Sequence, residues 1–170
     1  ATAMGDGQPI FSRPPMGNYS EDSLRGFYYS HDSIKVTRHC MPAGAIELTE
    51  VENVPFTQYS KSVAFTFVET ALSVAYGSHG VSLNLFDHAG TPMESDPKPG
   101  RMLGARKQYL NALAERSQTP GSYRGVQLLY HERASYAKRM PAQAWYGQLM
   151  ADGQELMQAL EGLGIPTTYD

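Results

Sequence analysis

The stretch AIELTEVENVPFTQYSKSVAFTFVETALSVAYGSHGVSLNLF, residues 45–86, decides how this chain is read. Its first part, Ala45–Val51, is rich in Ile, Leu, Thr and Val and predicts a β-strand. Lys61–Tyr76 then carries Ala64, Phe67, Val68, Ala71, Leu72 and Ala75 at i, i+3, i+4, i+7 spacing, the apolar stripe of a helix. Gly77 stands where a C′ glycine belongs, since that position takes a positive φ. Val81–Phe86 (VSLNLF) predicts a second strand. Strand, helix and strand in this order form a βαβ unit, which implies a parallel sheet.

The alternation continues outward in both directions. Residues 1–18 are rich in Gly and Pro, with Pro9–Ser12 as a short strand-like piece. Ser20 reads as an N-cap, with Glu21 and Asp22 in the first turn, where the helix dipole favours anions. Leu24, Phe27, Tyr28 and Ile34 follow at helical spacing until Pro42–Gly44 ends the helix. Downstream, the loop DHAGTPMESDPKPG leads to a helix over Arg101–Arg116, and SQTPGS is a linker. Gly125–Tyr130 predicts a third strand, and a helix from Ala142 to Glu161 ends at Gly162 and Gly164. Ile165–Tyr169 begins another strand. Trp145 and Tyr146, near that helix start, are packing residues on this reading. The expected class is α/β.

Composition narrows the function. The chain has 170 residues, 41% hydrophobic and 18% charged, enough for one core or parts of two. A net charge of −3 without a Lys/Arg run argues against nucleic acid or an anionic membrane as partner. The single cysteine, Cys40, allows no internal disulfide and no thiolate metal cluster, which fits a reducing cytoplasmic location. No stretch approaches the roughly 18 apolar residues of a membrane span. The chain begins with Ala rather than Met, so a processed or excised piece is expected.

In parallel sheets chemistry gathers at the C-terminal ends of strands. Glu47, Glu50 and Glu52 crowd such an end, where a strand covered on both faces should be almost continuously apolar. Uncompensated carboxylates are costly to bury, so each must be paired, solvated or protonated. Glu52 is the best-placed nucleophile or acid/base, because it comes last before Asn53 and the turn at Pro55; Glu47 reads as structural. Tyr59, Ser60 and Lys61 enter the next helix, with Ser60 as its N-cap and Lys61 opposing the dipole, so a carboxylate or ligand is expected to hold Lys61. Asn84, Asp87 and His88 end the following strand, and Arg13 is placed to clamp a ligand or pair with an acid. The histidines His31, His39, His79, His88 and His131 show no metal-ligand spacing, and His31 and His39 read as surface residues. Glycine-rich phosphate loops and a GxSxG elbow are absent from the sequence. No cofactor and no metal are expected.

Glu52-Asn53-Val54-Pro55 resembles the Glu-x-x-Pro segment ending the seventh barrel strand of β-galactosidase-like glycoside hydrolases of family 42. ETALSVAYGSHGVSLNLFDHAG, residues 69–90, is similar to that group's following helix and its strand entering the eighth barrel position. GVQLLYHERASYAKRM and WYGQLMADGQELMQALEGLGIPTTYD look like the opening of the flavodoxin-like trimerisation domain behind the barrel. The resemblance spans most of residues 45–170 in order of elements. It implies residues 1–118 as the C-terminal portion of a TIM (β/α)8 barrel, and 119–170 as the start of a flavodoxin-like domain. The implied activity is retaining hydrolysis of β-linked sugars by two carboxyls about 5–5.5 Å apart. Glu52 maps onto the nucleophile, Glu50 is its alternative, and Arg13, Asn53, Tyr59, Lys61, Asn84, Phe86, Asp87 and His88 are the implied carbohydrate contacts, with Phe86 as the aromatic platform. The implied assembly of the complete protein is a homo-oligomer, the trimer included.

A full barrel takes about 250 residues, and this chain holds about three of its strands. The strand expected to bring the acid/base lies outside the chain, so these residues alone are expected not to hydrolyse sugars. The remaining readings are a non-catalytic carbohydrate-binding relative and a small stand-alone α/β domain with a structural or interaction role.

Overall fold

The computed structural model describes residues 9–16, 21, 24–53, 59, 61–87, 89–118, 124–129 and 151–169. The chain divides into two compact units, Ala1–Tyr123 and Arg124–Asp170, and both are mixed α/β with short parallel sheets. The expectations for Ser20, Asp22, Pro55, Ser60, His88, His131, Trp145 and Tyr146 fall outside the described residues.

In the first unit the order is β1 (Phe11–Ser12), α1 (Leu24–Cys40), β2 (Ile46–Glu52), α2 (Val63–Ala75), β3 (Gly80–Asn84), a 3-10 turn (Met93–Ser95) and α3 (Lys98–Ser117). The strands lie side by side in chain order β1-β2-β3, all parallel. Phe11 pairs with Ile46, and the β2–β3 register runs from Leu48↔Gly80 to Glu52↔Asn84. Leu48 needs that register, since its Cδ2 lies 3.0 Å from where a Cβ on Gly80 would stand.

Alternation along β2 sorts its side chains between two unlike faces. Glu47, Thr49 and Val51 are buried, whereas Ile46, Leu48, Glu50 and Glu52 are half-buried. The buried face is the one the helices cover. Val51 joins Met16, Ile34 of α1, Tyr76 and Leu85 in one core, against which Leu72, Val81, Phe86 and Leu103 of α3 pack.

The face α2 buries is not its apolar stripe. Thr66, Glu69, Thr70 and Ser73 are its buried residues, while Ala64 and Val68 are exposed and Phe67, Ala71, Leu72 and Ala75 half-buried. The hydroxyls explain this inversion. Thr66 Oγ1 donates to the Ser62 carbonyl (3.0 Å), Thr70 Oγ1 to that of Thr66 (2.8 Å) and Ser73 Oγ to that of Glu69 (2.9 Å). Small hydroxyl side chains satisfied by their own helix can be buried cheaply. Part of the apolar stripe is used sideways, where the Phe67 and Tyr109 rings meet at 5.8 Å between α2 and α3.

Two expectations about the ends of α2 meet different outcomes. Its cap is Ser62, whose Oγ accepts from Phe65 N–H at 3.1 Å, so Lys61 precedes the helix and does not sit in its first turn. Glu21, expected in the first turn of α1, accepts from the N–H and the Oγ of Ser62 (3.1 and 2.7 Å). At the other end Gly77 does take a positive φ, 81°. The Arg38 guanidinium crosses directly above it and donates to its carbonyl at 2.6 Å.

His31 corrects the expectation of a surface histidine. It is 5% exposed, shares a 3.0 Å hydrogen bond through Nδ1 with the Tyr76 hydroxyl, and has Tyr28 and Tyr76 edge-on. Burial, helped by the nearby Lys35 charge, pulls its pKa down to about 4. The unfolded chain takes up a proton near pH 6.5 that the folded chain refuses until about pH 4. Stability therefore falls as pH drops through that window, by about 3 kcal/mol at its lower end. Glu47 opposes this, because burial raises its carboxyl pKa and its protonation favours the fold as pH falls. Urea unfolding between pH 7 and 4 is expected to lose this slope in His31→Gln; an identical slope in the variant would refute the assignment.

The second unit comprises β4 (Val126–Leu128), α4 (Ala151–Gly162) and β5 (Thr167–Tyr169), with β4 parallel to β5. Among the described residues, Met157 of α4, Leu128 and Thr167 are buried. Thr167 Oγ1 donates to Glu161 Oε1 at 3.1 Å. Gly125 is constrained by packing: a Cβ there would lie 2.3 Å from the Pro166 carbonyl oxygen. Among the described residues, no helix is long and apolar enough to cross a membrane.

Candidate functional site

The site is built on the sheet face opposite the helices, at the C-terminal end of β2. At this end, side chains come from neighbouring strands by register, Glu50 beside Ser82 and Glu52 beside Asn84. Phe11, beside Ile46, stands instead at the N-terminal end of β2, about 20 Å along the strand from Glu52. Phe11 is 59% exposed. Because paired residues in a parallel ladder point the same way, the C-terminal end of this face carries two carboxylates and an amide.

Each carboxylate has a different partner. Glu52 Oε1 accepts from Asn84 Nδ2 at 3.1 Å, which orients the carboxylate while leaving it acceptor capacity. Glu50 Oε1 is 2.7 Å from Arg13 Nη1, an ion pair with exposed Arg13 on the edge-strand side. The backbone supports this arrangement. Beyond β1 the chain continues to pair with β2, the Met16 N–H reaching the Glu50 carbonyl (2.7 Å) and the Glu50 N–H the Pro14 carbonyl (2.9 Å). Asn53 N–H donates to the Asn84 carbonyl (2.8 Å), extending the β2–β3 ladder just past Glu52.

Glu47 sits on the other face, fully buried. Its Oε1 accepts from Ser78 Oγ (2.7 Å) and its Oε2 lies 3.4 Å from Arg38 Nε. Ser78 also shares a short hydrogen bond with Thr49, and the Glu47 N–H donates to His79 Nδ1 at 3.2 Å. This network ties β2 to the C-terminal end of α2.

The residues singled out in the sequence therefore separate. Arg13, Glu50, Glu52 and Asn84 come together on the open face. Asn53 turns to the helix side, where its Nδ2 donates to Thr66 Oγ1 at 2.9 Å. Lys61 is also on that side: it is buried, with Nζ 2.7 Å from Glu69 Oε2 and 2.5 Å from the Glu52 carbonyl oxygen. Burial lowers its pKa, and Glu69 is the main opposing influence. A carboxylate does hold Lys61, but burial and not the helix dipole is the reason it needs one, since Lys61 precedes the Ser62 cap. Phe86 packs against the core. Asp87 Oδ1 accepts from the N–H groups of Ala89 (2.9 Å) and Thr91 (3.4 Å), which shapes the following loop. Tyr59 is 77% exposed, with Lys98 Nζ 5.8 Å from its ring centre.

What sequence reasoning missed is the pairing of Asn84 with Glu52, which depends on β3 lying beside β2 in this register. Among the described residues, no group of three or more His, Cys, Asp or Glu side chains converges as metal ligands would.

The fold and the site thus define a mixed α/β chain with parallel sheets and an acidic strand end on an open sheet face. No family model, no curated protein and no solved structure matches the chain.

Proposed function

We propose that the open face at the end of β2 is half of a retaining glycoside hydrolase site, with Glu52 as the nucleophile. The observation that carries the reading is the Glu52–Asn84 pair: a carboxylate at a strand's C-terminal end, on the face opposite the helices among the described residues, aimed by a neutral amide. A neutral donor orients the group without tying it to a cation, whereas Glu50 is already paired with Arg13. That difference favours Glu52 over Glu50. The chain-order parallel strands with helices on one side support residues 1–118 as a stretch of (β/α)8 barrel wall. The parallel β4–β5 pair supports residues 119–170 as the opening of a flavodoxin-like domain. The acid/base belongs, on this reading, to a strand outside these residues, and the partner is a β-linked carbohydrate.

A substrate that needs no acid assistance tests the half-site alone. With 2,4-dinitrophenyl 2-deoxy-2-fluoro-β-D-galactoside, a Glu52 carboxylate oxygen bonds to the anomeric carbon, and the anomeric C–O bond breaks. Its electron pair leaves with dinitrophenolate, and the fluorine slows hydrolysis of the ester. The expected result is release of one equivalent of dinitrophenolate per chain, with a matching mass increase and no turnover of unactivated β-galactosides. Binding of the sugar without any covalent adduct would instead make this a carbohydrate-binding relative.

A further inference from the structure

We infer that the buried Lys61–Glu69 pair is a positioning device for the Glu52 carboxylate, acting through the last peptide of β2. This rests on the proposed role of Glu52, but its geometry is independent of any sugar. The peptide joining Glu52 to Asn53 is held at both ends. Its N–H donates to the Asn84 carbonyl at 2.8 Å, and its C=O accepts from Lys61 Nζ at 2.5 Å. A strand's last carbonyls lose their ladder partners, and a buried one must find another donor. Here the donor is an ammonium whose charge is neutralised by Glu69 Oε2 at 2.7 Å, both side chains being 0% exposed.

The surroundings fix Lys61 in turn. It lies one residue before the Ser62 cap, which Glu21 grips from outside and Phe65 N–H from within. Asn53 on the same peptide is tied to α2 through Thr66. The backbone beneath Glu52 is thereby referenced to α2 on one side and to β3 on the other. Asn84 then needs to set only the carboxylate's rotation. A buried ion pair is a weak source of stability compared with apolar packing of the same volume. The pair's use is in where it puts the carbonyl.

The test is the full chain with Lys61→Met/Glu69→Leu, which removes both charges and leaves an apolar contact. Two measurements decide it. Amide hydrogen exchange at Asn53 is expected to accelerate about tenfold or more, with Thr49 and Val51 unchanged. The maximal rate of covalent labelling by the fluoroglycoside is expected to fall on the order of a hundredfold, with its half-saturating concentration unchanged. A pair that served stability alone would move neither quantity in a variant that melts like the parent. Unchanged exchange at Asn53, or a preserved maximal labelling rate, overturns the inference. If the parent chain takes no label, the glycosidase reading fails, while Asn53 exchange still decides whether the pair holds this peptide.

Discussion

Glu52→Gln is expected to lower covalent labelling by the activated fluoroglycoside by on the order of 10⁴-fold or more, as removal of a nucleophile does. The amide matches the carboxylate in size and keeps an oxygen for the Asn84 donor, so the site's shape survives. Glu52 is half-buried, and the melting temperature should stay close to that of the parent. What is lost is the lone-pair basicity that attacks the anomeric carbon. Glu50→Gln gives the contrast. It breaks an ion pair whose arginine side chain is 62% exposed, so it should cost under about 1 kcal/mol of stability. It should leave labelling largely intact. Equal loss in the two variants would remove the distinction between the carboxylates.

The second large effect is on stability. Lys61→Met leaves Glu69 as a buried carboxylate without its ammonium, and unfolding in urea should show a loss of about 3–5 kcal/mol. Against a typical total of about 5–15 kcal/mol, that is a substantial fraction of the fold's stability. Replacing both partners by apolar residues should recover most of it. A Lys61→Met loss below about 1 kcal/mol would mean that water or another group compensates Glu69.

The sequence was informative where pattern and packing agree. Ile46–Glu52 and Gly80–Asn84 were readable as strands from their β-rich composition, and the helix between them supplies the crossover that their parallel pairing needs. Gly77 was readable because few other residues tolerate its φ. The burial of α2 was not readable from hydropathy. Its apolar stripe is the stronger signal, but the stripe that meets the sheet is Thr66, Glu69, Thr70 and Ser73, the hydroxyls satisfied by the helix backbone and Glu69 by Lys61. His31 misled for a related reason: a histidine reads as polar, yet its neutral ring is held between two tyrosines.

The candidate site was legible in part. Three glutamates marked the strand end, but their division between two faces depends on register, and a shift of one residue exchanges the faces. In the observed register Glu50 and Glu52 lie opposite Glu47. Asn84 emerged as the partner of Glu52 only once β3 was placed beside β2.

The most direct measurement is the address of the label. Trypsin should release residues 39–61 as one peptide holding Glu47, Glu50 and Glu52, and fragmenting that peptide after reaction with the fluoroglycoside assigns the modified residue. The account predicts the fluoroglycosyl group on Glu52. A label on Glu50 or Glu47, or none on this peptide, would contradict it.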